Sequence, residues 1–186
     1  MTQISQNTQI APVKKQVDIE KKVKRLAKSL GISVGIFAVI LTLFYFFVGW
    51  FYRVDSINMY PTLADGDLVV YEKITPIAAK DIVVYEYAGK VHIGRVFGVE
   101  GDEVGLRTDG YTTINGSLPY ETHIFYPTFP VEKSIKYPLT VSPGHVFILG
   151  DYRTGAVDSR TFGEIPLSQV KGKVYLLLLR QRGLYN

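Results

Sequence analysis

The chain has 186 residues, no cysteine and a formal net charge of +4 at pH 7. Without cysteine there are no disulfides, zinc–thiolate sites or thiol nucleophiles. Seven of the 21 Lys and Arg residues fall within residues 1–30, against Asp18 and Glu20, so the remainder is close to neutral. That balance argues against a nucleic-acid binder, which concentrates basic charge on its folded domain.

Residues 1–29 read as a polar, lysine-rich cytoplasmic tail whose first dozen residues lack the apolar content of a packed segment. Ile19, Val23, Leu26 and Leu30 fall at helical spacing and predict an amphipathic lead-in helix. The stretch 30–52, from Leu30 to Tyr52, carries no charge, and at ~1.5 Å per residue such a helix spans a hydrocarbon core of roughly 30 Å. Tyr45, Trp50, Phe51 and Tyr52 lie towards its far end, where an interfacial aromatic belt is expected. Gly49–Arg53 offers no small-residue cleavage site, which favours an uncleaved anchor over a signal peptide. The basic flank ahead of the anchor places the N-terminus in the cytoplasm and residues 53–186 outside. The expectation is therefore a single-pass protein of the cell membrane.

From Val54 the apolar period changes to two. Strands are predicted at Asp67–Tyr71, Asp81–Tyr85, Val91–Val96, Val146–Leu149 and Val174–Leu179, rich in β-branched and aromatic residues. Turns are predicted at Ala64–Gly66, Ala88–Gly89 and Asn115–Gly116, the last a strong hairpin signal. No helix-length periodic segment follows the anchor, so residues 53–186 are expected to form one all-β domain. Ile124–Pro130 is aromatic and broken by proline, too irregular for a central strand. Its Phe125, Tyr126 and Phe129 offer a surface for a partner or the membrane interface, or else a loop that covers the core. His123 and His145 show no carboxylate or metal-ligand spacing, and neither a metal nor a cofactor is signalled.

Val54–Leu63 reads Val-Asp-Ser-Ile-Asn-Met-Tyr-Pro-Thr-Leu. It resembles the nucleophile box of type I signal peptidases of the S26 family, Ser-x-Ser-Met-x-Pro-Thr-Leu. Ser56 fills the first Ser position; Met59, Pro61, Thr62 and Leu63 match; the nucleophile position holds Asn58, which has no hydroxyl or thiol to activate. Further boxes follow in family order. Gly66-Asp67 and Lys80–Val84 resemble its strand openings. Arg95–Asp102 resembles Arg-x-x-Gly-x-Pro-Gly-Asp with Glu100 in place of Pro, and Ile114–Gly116 its hairpin. Gly150–Arg160 resembles Gly-Asp-Asn-Arg-x-x-Ser-x-Asp-Ser-Arg. The resemblance implies a signal-peptidase-type antiparallel β domain behind one N-terminal transmembrane helix. It also implies a Ser-Lys dyad, in which a neutral lysine takes the serine proton. That lysine precedes the Arg of the third box, where this chain has Gly94, and the family's lysine-orienting Ser corresponds to Ala156. Nucleophile, base and orienting group are all missing, while Asp158, Ser159 and Arg160 still match the last box, and Asp158 with Arg160 keeps the pattern of an ion pair bracing the site wall.

Loss confined to catalytic positions reads as a pseudoenzyme. The chain resembles the catalytically inactive, signal-peptidase-like assembly factors, or chaperones, of sortase-dependent pili in Gram-positive bacteria. That resemblance implies pilin subunits or a pilus sortase as partners, bound by strand addition in an empty cleft. Two alternatives stand beside it. One is a regulatory subunit that presents substrates to an active peptidase. The other is an active peptidase with a displaced Ser56–His92 dyad. If both segments are strands, Ser56 faces the same way as Asn58 and His92 as Gly94, each shifted by one pleat, about 6.6 Å.

Overall fold

The structure, a computed structural model, describes residues 10–47, 50–119, 121, 124–131 and 135–180. The chain divides into two compact units, Met1–Phe46 and Phe47–Asn186. The first is built on one helix, α1 (Ile10–Phe47), which joins the amphipathic lead-in and the apolar segment without a break. Over Asp18–Thr42, 25 residues at mean hydropathy 1.6 with none buried, it is long and apolar enough to cross a membrane.

In the second unit every strand pairing is antiparallel. Its strands are β1 (Trp50–Arg53), β2 (Leu68–Glu72), β3 (Ile82–Tyr87), β4 (Lys90–Val99), β5 (Glu103–Leu106), β6 (Thr112–Ile114), β7 (Leu139–Thr140), β8 (His145–Leu149), β9 (Ile165–Pro166) and β10 (Val170–Leu179). Seven form a sheet in the order β1-β2-β10-β3-β4-β8-β9, and three form a smaller sheet, β6-β5-β7. One helical turn, α2 (Ser159–Phe162), lies between β8 and β9. The expected all-β domain is what forms.

Trp50, Phe51 and Tyr52 were expected as the far end of the membrane helix. They are instead strand β1, paired with Tyr71, Val70 and Val69. Aromatic residues fit a pleated, half-buried surface, and Tyr52 packs against a cluster formed by Val54, Met59, Leu63, Val69, Val84 and Ile93.

The turn expected at Ala88–Gly89 and the hairpin expected at Asn115–Gly116 both form, for a backbone reason. Tyr87 pairs with Lys90 across a two-residue loop whose Ala88 and Gly89 have φ of 50° and 74°. Ile114 bridges Ser117 across Asn115 and Gly116, at 51° and 76°. Positive φ at both central residues gives the turn whose twist matches the flanking strands. The short strands β5, β6, β7 and β9 had no legible alternation in the sequence; β5 and β6 pair locally across residues 107–111, whereas β7 joins β5 from beyond the aromatic loop and β9 joins β8 across α2.

Candidate functional site

The loop between β1 and β2 carries Ser56 and Asn58, and its apolar residues hold it down. Met59 and Leu63 are buried in the same cluster as Val69 and Ile93. The following turn is one of three built alike. Gly66, Lys80 and Gly101 have φ of 86°, 76° and 84°, and each precedes an Asp. The carboxylates of Asp67, Asp81 and Asp102 accept from the N–H groups three residues back, on Ala64, Ala78 and Val99, at 3.0, 2.9 and 3.0 Å. An Asp that closes its own turn in this way explains why the Gly-Asp pairs recur at strand openings.

Asn58 is buried at 9% exposure and joined to a segment 99 residues away. Its Nδ2 donates to the Val157 carbonyl at 3.3 Å, and the Val157 N–H donates to its Oδ1 at 3.4 Å. The carboxamide therefore pairs with the main chain of Val157 as a second peptide group would. Its own carbonyl accepts from the Tyr152 N–H at 3.0 Å. A Cβ on Gly150 would stand 2.6 Å from that oxygen, so the two loops approach only because residue 150 has no side chain.

Gly94 lies in the centre of β4, opposite Val83. A Cβ there would stand 2.4 Å from Ile148 Cγ2 and 3.4 Å from the Tyr85 ring. Ile148 and Tyr85 are fully buried parts of the main core. Core side chains thus fill the space that a side chain at 94 would enter, and the buried Ala156 methyl packs against Gly150.

Around this floor stands a buried ionic frame. Arg95 grips Asp151 through two nitrogens, at 2.8 and 2.7 Å, and Thr62 donates to the same carboxylate. Asp158 and Arg160 pair at 2.8 Å with both side chains at 2% exposure. The ion pair expected to brace the site wall is thus buried. Asp158 also accepts from the Gly150 N–H, and Ser159 Oγ accepts from the Ile148 N–H. Side chains so continue the ladder of β8 beyond its short partner β9. Arg153, which sequence reasoning passed over, is buried too; it pairs with Glu121, donates to Thr128 and Gly150, and lies 5.6 Å from the Phe97 ring centroid.

The signal peptidase, peptidase S26 family matches residues 23–179. The chain belongs to that family. It is 32% identical over 162 residues to signal peptidase IB of Staphylococcus aureus, covering 77% of this chain and 84% of that one. Signal peptidase I of Bacillus caldolyticus is 32% identical over 139 residues, 66% of this chain and 75% of that one. Thylakoidal processing peptidase 1 of Arabidopsis thaliana is 33% identical over 138 residues, but the chain spans 39% of its length. A solved signal peptidase I from Enterococcus faecalis is 28% identical and superposes with a TM-score of 0.46 over 55% of this chain and all of that one. Among the described residues no cluster of His, Asp and Glu has the geometry of a metal site.

Within this family member Ser56 lies in a bend outside any strand, so the pleat argument that aligned it with Asn58 does not apply. His92 is in β4, stacked on Tyr85 at 5.5 Å between centroids and tilted against Phe162 at 6.0 Å. Among the described residues no hydrogen bond joins it to Ser56. Burial lowers the His92 pKa from its ordinary 6.5, with Asp55 opposing. The unfolded chain therefore binds more protons here than the folded one. Stability contributed by this group is complete above pH 6.5 and is lost as pH falls through the window between 6.5 and the lower folded value. The urea midpoint is expected to drop between pH 7 and pH 5, and by less in His92→Gln. An equal drop in both proteins would rule out His92 as a source.

The aromatic loop splits its three named residues. Phe125 and Phe129 are 73% and 45% exposed. Tyr126 turns inward and meets the Tyr152 ring edge-on at 5.4 Å and 86°. With Ile57 and Tyr60 these two rings line a cavity of about 280 Å³. Sequence reasoning missed this pocket, since its walls come from three separate segments. His123 lies outside the described residues, and the His145 ring contacts the Pro143 carbonyl at 2.9 Å.

Proposed function

We propose that this member of the signal peptidase family cleaves no peptide and instead holds extended polypeptides, as a membrane-anchored chaperone or assembly factor for sortase-dependent pili. The observation that carries the loss of catalysis is the contact at position 94. Ile148 Cγ2 would stand 2.4 Å from the first side-chain atom of a base there. Asn58 supports the same reading, because it lacks a nucleophilic atom and its amide is engaged by Val157. Binding is supported by a strand edge that, among the described residues, has no strand partner, although its Val91 carbonyl accepts from the Tyr52 hydroxyl at 3.4 Å. Residues 90–94 pair with β3 on one side, whereas β8 joins only from Arg95 onwards. An extended chain can add to such an edge without any nucleophile. Ser56, Met59, Pro61, Arg95, Ala156, Asp158, Ser159 and Arg160 would then be the vestigial walls of the cleft. The pilus role and the pilin or sortase partners rest on the resemblance to the inactive family members. The cytoplasmic N-terminus and extracellular β domain rest on the basic residues in the N-terminal half of α1, ahead of its uncharged stretch; the helix fits membrane association.

The test is incubation of the full-length protein in lipid with a pilin precursor, beside an active signal peptidase. No cleavage is expected from this chain. Cleavage that disappears in Ser56→Ala would overturn the reading and restore the displaced dyad. In cells, deletion is expected to abolish polymerised pili while pilin precursors are still processed. Normal pili in the deletion strain would refute the assembly role.

A further inference from the structure

The pocket beside Asn58 carries a specificity of its own. We infer that Ile57, Tyr60, Tyr126 and Tyr152 form a recognition pocket for one bulky, uncharged side chain of the bound polypeptide, aromatic by preference. This rests on the peptide-binding reading above and names what that cleft selects.

Position argues for it first. Ile57 and Tyr60 flank Asn58 on the same loop, and Tyr152 donates its N–H to the Asn58 carbonyl. A chain laid past position 58 therefore meets these rings. Size comes next. At about 280 Å³ the cavity falls just below the ~300–1,000 Å³ of small-molecule sites. That suits a single large side chain; the methyl group of an alanine would leave most of it empty.

Charge complementarity points to the same occupant. None of the four lining side chains is charged. The nearby charged groups are engaged elsewhere: Asp55 accepts from the Tyr52 hydroxyl, Asp151 is held by Arg95, and Arg153 by Glu121. A charged side chain entering the pocket would lose water and meet tyrosine hydroxyls but no counter-charge. A ring would add a further edge or face to the perpendicular Tyr126–Tyr152 pair, and such contacts favour rings beyond the area they bury.

The wall is also a built one. Arg153, itself buried, ties Glu121 and Thr128 to the 150–153 turn, and the Thr128 N–H donates to the Gly110 carbonyl at 2.9 Å. Tyr126 lies between these two tethers. Its placement over Tyr152 thus follows from packing of the loop at both ends.

The experiment uses full-length protein in lipid nanodiscs and fluorescent alanine-based decapeptides that differ at one central position, Phe, Ala, Asp or Lys. Binding is read by fluorescence polarisation. The Phe peptide is expected to bind about tenfold more tightly than the Ala peptide, with Asp and Lys weakest. In Tyr126→Ala the Phe-to-Ala ratio should fall towards one, and Tyr126→Phe should restore it. Tyr60→Ala, at a partly exposed position, serves as a second variant should the first unfold. A wild-type ratio near one, or a ratio that survives both alanine variants, would overturn the pocket while leaving the cleft reading in place. Failure of a folded protein to bind any of the four peptides would overturn both.

Discussion

Gly94→Lys is expected to destabilise the β domain by about 3 kcal/mol or more and to yield no peptidase activity, even combined with Asn58→Ser and Ala156→Ser. The new Cβ would stand 2.4 Å from Ile148 Cγ2, a branched methyl that moves aside only by turning χ1, the stiff torsion of a β-branched side chain, within a packed core. The rest of the lysine would run against the buried Tyr85 ring, and its amine would have to shed water or neutralise. Restoring the three residue types therefore does not restore the site, because the space for the base has closed. Urea denaturation measures the cost. The mechanism is checked by a double-mutant cycle between Gly94→Ala and Ile148→Ala. Ile148→Ala alone removes core volume and costs about 2–5 kcal/mol. If the clash is real, the pair costs clearly less than the two singles added. Additive costs, or signal-peptide cleavage by the triple variant, would refute the closed base site.

Asp158→Ala is expected to cost about 3–5 kcal/mol, since it strands a buried guanidinium. Asp158 receives two nitrogens of the Arg160 side chain, the Arg160 N–H and the Gly150 N–H. It also caps the turn of α2. Removing it leaves Arg160 with the carbonyls of Arg153 and Ala156 but no counter-charge. The comparison is Lys171–Glu86, a pair of similar length at 34% and 45% exposure. Glu86→Ala is expected to leave the urea midpoint almost unchanged, as solvent and salt screen such a pair. Asp158→Ala/Arg160→Met should recover part of the loss, because the stranded charge goes with its partner. Equal effects of Asp158→Ala and Glu86→Ala would show that burial does not set the strength of the frame.

Much of this was legible in the chain. The change from a long uncharged stretch to period-two alternation separated α1 from the β domain, and Ala88-Gly89 and Asn115-Gly116 marked their hairpins through backbone preferences that are local. The absence of a nucleophilic atom at 58, of an amine at 94 and of a hydroxyl at 156 is a property of those residues in any fold. The strand at Trp50–Tyr52 was not legible, because aromatic residues suit both a membrane interface and a strand; pairing with β2 decided between them.

What the sequence determined by itself was the inventory: which groups exist to do chemistry, and which local conformations the chain prefers. What the lost positions gained was decided by the tertiary structure. Asn58 acquires the Val157 peptide group, Ile148 fills the space beside Gly94, Asp158 and Arg160 become a buried pair, and Ile57, Tyr60, Tyr126 and Tyr152 become one pocket. The reason is that burial and long-range contact depend on how distant segments pack, and residues 58 and 157 carry no local signal of each other.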